Sequence, residues 1–260
     1  MEKTYANYLK IPELLSLQQP CSEGPEHDET LFIVIHQVYE LWFKQQLHET
    51  EHLANALLGG DIEVAMTTLK RMLTILKTMV AQVDILETMT PVSFLSFRAF
   101  LDNASGFQSA QFREFEFLLG YKRNKPVENY PVGSPEREAL QARLAQPSIW
   151  HCLLSLLSTH DVSVPADILK RDVHEATTTS EDLQKELIRI YHNDPLLRAL
   201  CERFVDLDEG IQEWRYRHVK MVERTIGTKM GTGGSAGTAY LRNTLFQPLF
   251  PDLWEIRSEL

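Results

Sequence analysis

Residues 195–226 constrain the fold more than any other stretch of this chain. Leu200, Phe204, Leu207, Ile211, Trp214, His218 and Met221 follow one another at alternating four- and three-residue steps. That spacing returns side chains to one face of an α-helix and makes a bundle seam. The segment predicts a helix of roughly eight or nine turns. An apolar stripe of that length has to be covered, so the rest of the chain must supply helices long enough to lie along it.

Two further segments meet that need. Asp28 can cap a helix that runs through Leu31, Phe32, Ile35, His36, Tyr39, Trp42, Phe43 and Leu47 to about Leu58, where Gly59 and Gly60 stop it. Asp61 opens another, with Val64, Leu69, Leu73, Leu76, Val80, Val83 and Leu86 at helical spacing. Shorter helices are expected from Pro91 through Leu101, from Ser109 to about Leu119, around 136–145 and 148–159, and from near Glu181, capped from within Thr177 to Ser180. The polar stretches 122–135 and 165–180 carry prolines and read as loops. No β-branched run bounded by turn residues is long enough for a sheet, and there is no internal repeat or low-complexity linker. The expectation is one all-α helical-bundle domain covering 1–260.

Composition narrows the partners. Apolar residues make up 43% and charged residues 24% of the 260, as in an ordinary soluble domain. A net charge of −10 argues against nucleic acid or an anionic membrane as the main partner. Cys21, Cys152 and Cys201 are far apart and form no CxxC pair. They suggest neither a disulfide framework nor a thiolate zinc cage. The N-terminus shows no basic-then-apolar signal, and the run from Leu31 to Ile35 is too short to cross a bilayer. A cytoplasmic location is expected.

Several residues could carry chemistry. His218 occupies a seam position, and His36 lies one turn after Phe32 and one turn before Tyr39. Each could be a hydrogen-bonded core histidine, or a haem ligand or distal group, and periodicity does not choose between these. His48-Glu49-Thr50-Glu51-His52 matches the HExxH zinc pattern on a predicted helix, but no third ligand is evident downstream. The stretch Gly231-Thr232-Gly233-Gly234-Ser235-Ala236-Gly237 lacks the order of a phosphate loop. It reads either as a surface loop or as a lid whose Thr232 hydroxyl closes over a small ligand. Arg98, beside Phe97, is either a snorkelling surface cation or a clamp for a substrate carboxylate.

Longer strings resolve these alternatives. His27-Asp28-Glu29, Leu31-Phe32-Ile33 and His36-Gln37-Val38-Tyr39-Glu40-Leu41-Trp42-Phe43-Lys44-Gln45 resemble the signature of the tryptophan 2,3-dioxygenase family. So do Phe94-Leu95-Ser96-Phe97-Arg98, Ala104-Ser105-Gly106-Phe107-Gln108-Ser109, Gln111-Phe112-Arg113, and Trp214-Arg215-Tyr216-Arg217-His218 through Gly231-Thr232-Gly233-Gly234-Ser235. Tyr5-Ala6-Asn7-Tyr8-Leu9 fits as well, and the matches run in order along nearly the whole chain.

The resemblance implies haem b held by His218, with His36 as the distal residue receiving a hydrogen bond from the indole N–H. It implies Phe32, Phe94 and Phe97 as walls of the indole pocket, Arg98 on the amino-acid carboxylate, and Thr232, in the 227–240 loop, at the polar end of the substrate. Ser105 and Gly106 would lie near the haem where oxygen binds. In the family an N-terminal arm, here residues 1–20 with Tyr5, Tyr8 and Leu9, completes a neighbouring subunit's pocket, which implies a homo-oligomer, a tetramer in relatives. The implied reaction opens the indole C2–C3 bond of L-tryptophan with O2 to give N-formylkynurenine. A relative that inserts one oxygen atom into a substituted indole would share these motif residues, whereas a haem sensor on the same scaffold would keep His218 without needing Arg98.

Overall fold

Side-chain oxygens start most of the helices. Asp61 accepts from the Val64 amide, Ser109 from Phe112, Ser134 from Arg137, Ser148 from His151, Ser180 from Leu183, and Asp194 from both Leu196 and Leu197. Each bond satisfies an amide that the first helical turn leaves open. Prolines 91, 135 and 195 stand in the first turn of their helices, where the missing N–H costs nothing. The computed structural model describes residues 2–229 and 238–260, so the glycine-rich stretch with Thr232 lies outside the described residues.

Two one-turn helices, α1 (Tyr5–Tyr8) and α2 (Ile11–Leu14), precede the long α3 (His27–Leu58) and α4 (Ile62–Leu86). Then come α5 (Pro91–Phe97), continued by a 3-10 turn over Arg98–Leu101, α6 (Ala110–Leu118), α7 (Lys125–Glu128), α8 (Pro135–Leu144) and α9 (Ile149–Ser158). The chain goes on through α10 (Ala166–Leu169), α11 (Glu181–Asn193), α12 (Pro195–Ile226), α13 (Thr238–Arg242) and α14 (Pro251–Glu255). No strand occurs among the described residues, and no helix is long and apolar enough to cross a membrane.

The long helices pack as the sequence requires, α12 along α4 and α4 along α3, with α6 and α9 against α3. Leu53, Leu69, Met72, Leu76, Leu200, Phe204 and Leu207 fill the space between them, each at most 1% exposed. Gly210 allows the close approach of α12 to α4, since a Cβ there would come within 2.9 Å of Leu73 Cδ1. The C-terminal segment is tied to α12 by Asp208. This fully buried carboxylate accepts from the amides of Leu249 and Phe250 and from Trp254 Nε1 at 2.8–3.1 Å.

Three boundaries differ from the sequence expectation. Helix α3 begins two residues earlier, with Glu26 at the cap position, and Asp28 sits in its first turn. There it still favours the positive end of the helix without making a capping bond. The stretches read as loops at 122–135 and 165–180 contain the single turns α7 and α10, too short to show a helical period. The helix expected over 91–101 tightens into a 3-10 turn at Arg98.

Candidate functional site

One end of the α3–α4–α12 layer opens into a cavity of about 220 Å³. Its wall is built from Phe32, His36, Tyr39 and Phe43 of α3, Phe94 of α5, Arg98, the 104–107 segment, Phe112, Arg113 and Glu116 of α6, and Trp214, Arg215, His218 and Met221 of α12. Residues spaced three and four apart on two antiparallel helices thus line a common space. The surface they present is mainly apolar, with polar side chains set into it, which suits a flat apolar ligand held by directed contacts.

The aromatic side is layered. The Phe32 ring lies 5.8 Å from Phe94 and 5.6 Å from Phe97, and Phe94 meets Phe97 edge-on at 5.5 Å. Phe32 and Phe94 face the cavity, whereas Phe97 is fully buried behind them and is not part of the lining. Its contribution is to hold the two front rings in place.

His36 is fixed by its own helix. Its Nδ1 lies 2.7 Å from the carbonyl of Phe32, one turn back. A carbonyl can only accept, so Nδ1 carries the proton and donates. In the neutral ring Nε2 is then left with a free lone pair. Burial pushes the pKa of His36 below the ordinary imidazole value, opposed in part by the Phe32 bond and by the Glu40 charge. The ring is therefore neutral near pH 7, a hydrogen-bond acceptor in an apolar wall.

His218 is the second imidazole on the cavity. Its ring lies parallel to the Trp214 indole, with centroids 5.2 Å and planes 3° apart. Burial pushes its pKa down to about 4, with His36 and Arg113 adding to the effect. A neutral imidazole in a dry space is the form that ligates a transition metal.

Arg98, Ser105 and Gly106 also line the cavity. Ser105 Oγ accepts from the Phe107 amide, and a Cβ built on Gly106 would meet nothing within 4 Å. Open space therefore borders the backbone there. The arm residues Tyr5 and Tyr8, 77% and 68% exposed, and Leu9 contribute nothing to this chain's own cavity.

Sequence reasoning gave no role to a buried charge cluster at the cavity wall. Glu116 accepts from Arg113 and Arg123 at 2.6 Å each and from Arg215 at 3.1 Å. Burial alone would raise the Glu116 carboxyl, but the three guanidiniums outweigh it and hold the group at about 2. Arg215 also donates to the carbonyls of Thr244 and Gln247. Two donors at the same wall, Trp214 Nε1 and Arg215 Nε, are buried without an acceptor among the described residues. Such orphans are costly unless a ligand supplies the acceptor. Haem, with two carboxylates on a flat apolar ring, fits this wall and the two neutral imidazoles. The only sequence signals for the cluster were the arginines within the matched strings.

The HExxH pattern does not form a metal site. His48 and His52 are exposed, while Glu49 turns inward to an ion pair with Arg71 at 3.0 Å and a bond from Gln45. Among the described residues no group of three His, Cys, Asp or Glu side chains could hold a metal ion.

Comparison with known proteins agrees with this geometry. The model of a family described as tryptophan 2,3-dioxygenase matches residues 1–132 and 136–260. A protein named tryptophan 2,3-dioxygenase from Herpetosiphon aurantiacus is 56% identical over 257 residues, covering 99% of this chain and 98% of its own length. Proteins of the same name from Anaeromyxobacter sp. strain K and Caulobacter vibrioides are 55% and 42% identical, covering 99% and 100% of this chain and 96% and 99% of their own.

Proposed function

This chain belongs to the tryptophan 2,3-dioxygenase family, and from that premise we propose that it opens the indole C2–C3 bond of L-tryptophan with O2 to give N-formylkynurenine, using haem b held by His218. The observation that carries the reading is the hydrogen bond from His36 Nδ1 to the Phe32 carbonyl, which leaves Nε2 as an acceptor on an aromatic-walled cavity. An indole is flat and apolar and has a single N–H, so it matches that acceptor and that wall.

The residue roles follow from the chemistry of each group. Nε2 of His36 accepts the indole N–H and sets the rotation of the ring within the Phe32–Phe94 slot. Arg98 pairs with the substrate carboxylate, a contact suited to the planar guanidinium fork. Thr232, which lies outside the described residues, is assigned to the same polar end. The neutral imidazole of His218 offers its lone pair to iron, and Arg215 Nε supplies a donor for a haem carboxylate. Ser105 and Gly106 border the space left for oxygen. Bound haem supplies O2 activation and the oxygen-transfer chemistry, and the protein supplies binding, orientation and exclusion of water. Because an acceptor at the indole N–H orients the ring without removing its proton, no residue is needed as a full base.

The reading extends to the assembly. Tyr5, Tyr8, Leu9, Leu14, Leu15 and Leu17 form an exposed apolar arm over 5–17, more than a solitary chain has reason to display. We assign it to the pocket of a neighbouring subunit in a homotetramer located in the cytoplasm. The whole proposal is tested by adding haem to the protein. Stoichiometric uptake, with an absorption spectrum that shifts when L-tryptophan is added, supports it; failure of the intact protein to take up haem overturns it.

A further inference from the structure

We propose that Trp214 is a positioning residue that fixes the plane of the His218 imidazole, and through it the rotational setting of the protein's ligand to iron. The inference rests on the assignment of His218 as that ligand.

Positions 214 and 218 lie one helical turn apart on α12, so their side chains share a face. The two rings are parallel within 3°. The Trp214 ring is itself held. It is 7% exposed, meets Phe112 at 4.7 Å and stands edge-on to Phe43 at 6.0 Å. Three helices therefore fix one indole plane, and that plane fixes the imidazole.

A ligating histidine is ordinarily oriented by a hydrogen bond from its second ring nitrogen. Among the described residues no carbonyl or side chain makes such a bond to His218. Rotation about its Cβ–Cγ bond is soft, so the stack is the constraint that remains. The plane of an axial imidazole decides which iron d orbital its π electrons mix with. Its rotation is thus read directly in the magnetic anisotropy of low-spin ferric haem.

The test uses the intact haem-loaded protein as its ferric cyanide complex, with wild type, Trp214→Phe, Trp214→Leu and Trp214→Met compared by electron paramagnetic resonance. Trp214→Phe keeps a ring and is expected to keep the wild-type g values. The two ringless variants occupy only part of that space and offer no plane, and either one that loads haem is expected to show a shifted and broadened largest g value. Wild-type g values in a ringless variant would overturn the proposal, as would a Phe variant displaced as far as the ringless ones. Loss of haem from all three variants with helical content unchanged would also overturn it, because the stack is assigned to orient the ligand and not to hold the cofactor. Failure of the underlying assignment reads differently. In that case His218→Ala would retain the wild-type g envelope.

Discussion

His36 Nδ1 lies 2.7 Å from the carbonyl oxygen of Phe32, so a residue on the aromatic wall fixes the tautomer of the histidine beside it. The acceptor lone pair on Nε2 is a product of helix geometry, since the bond spans one turn of α3. Neutral, apolar and directional at once, the site is built to orient a ring N–H.

If orientation is all that His36 supplies, His36→Ala lowers kcat/KM for L-tryptophan by about tenfold, the worth of one good hydrogen bond. Steady-state kinetics on fully haem-loaded protein measure this. Complete loss of turnover with normal haem content and tryptophan binding would instead make His36 an obligatory base. Because burial lowers the His36 pKa, the neutral form persists below the ordinary imidazole value. The acid limb of the wild-type kcat/KM profile should therefore fall below pH 6.5, and the Ala variant should lack it.

Arg98→Leu removes the cation assigned to the substrate carboxylate and should raise KM for L-tryptophan on the order of a hundredfold, as expected for truncating one partner of a desolvated charge pair. Turnover of tryptamine, which has no carboxylate, should change little. Equal losses for both substrates would place Arg98 in a structural role.

Glu116 links the cavity wall to stability. Its carboxyl, held at about 2 against an ordinary value of 4.5, contributes stability above pH 4.5 that is lost as pH falls through the folded value. Glu116→Gln leaves the buried Arg113 and Arg215, and the half-buried Arg123 beside them, without their shared anion and should destabilise the protein by about 3–5 kcal/mol at pH 7. Thermal midpoints of variant and wild type should converge as pH falls from 4.5 toward 2. A constant gap across that range would mean that the carboxylate charge is not what stabilises the cluster.

Much of this was legible in the sequence, and the limits have physical causes. The seam from Leu200 to Met221 and the caps at Asp61, Ser109 and Ser180 announce themselves because helical period and capping are local. His36 and His218 are visible as histidines on apolar faces, but their arrival at one cavity depends on how α3 and α12 both pack along α4, which no local pattern encodes. Glu116 and Arg215, 99 residues apart, read in sequence as ordinary polar positions, because charge alone does not tell a buried pair from a solvated face. Phe97 shows the same limit more finely. Helical spacing places it with Phe94, and only the packing puts it a layer behind. His48 and His52 satisfy a spacing rule on the exposed side of α3, where spacing has no consequence.

Removal of residues 1–17 deletes the exposed arm without touching the core of this chain. The truncated protein should keep its helical content yet lose most activity and assemble into smaller species, as followed by circular dichroism and sedimentation. A fully active, undiminished oligomer would show that the arm serves neither the pocket nor the assembly.

The most direct test of the central claim is the mass of the product formed when reduced, haem-loaded protein turns over L-tryptophan under isotopically labelled O2. N-formylkynurenine carrying two labelled oxygen atoms is the predicted result. A product with a single labelled atom would contradict it and make the protein a monooxygenase built on the same cavity.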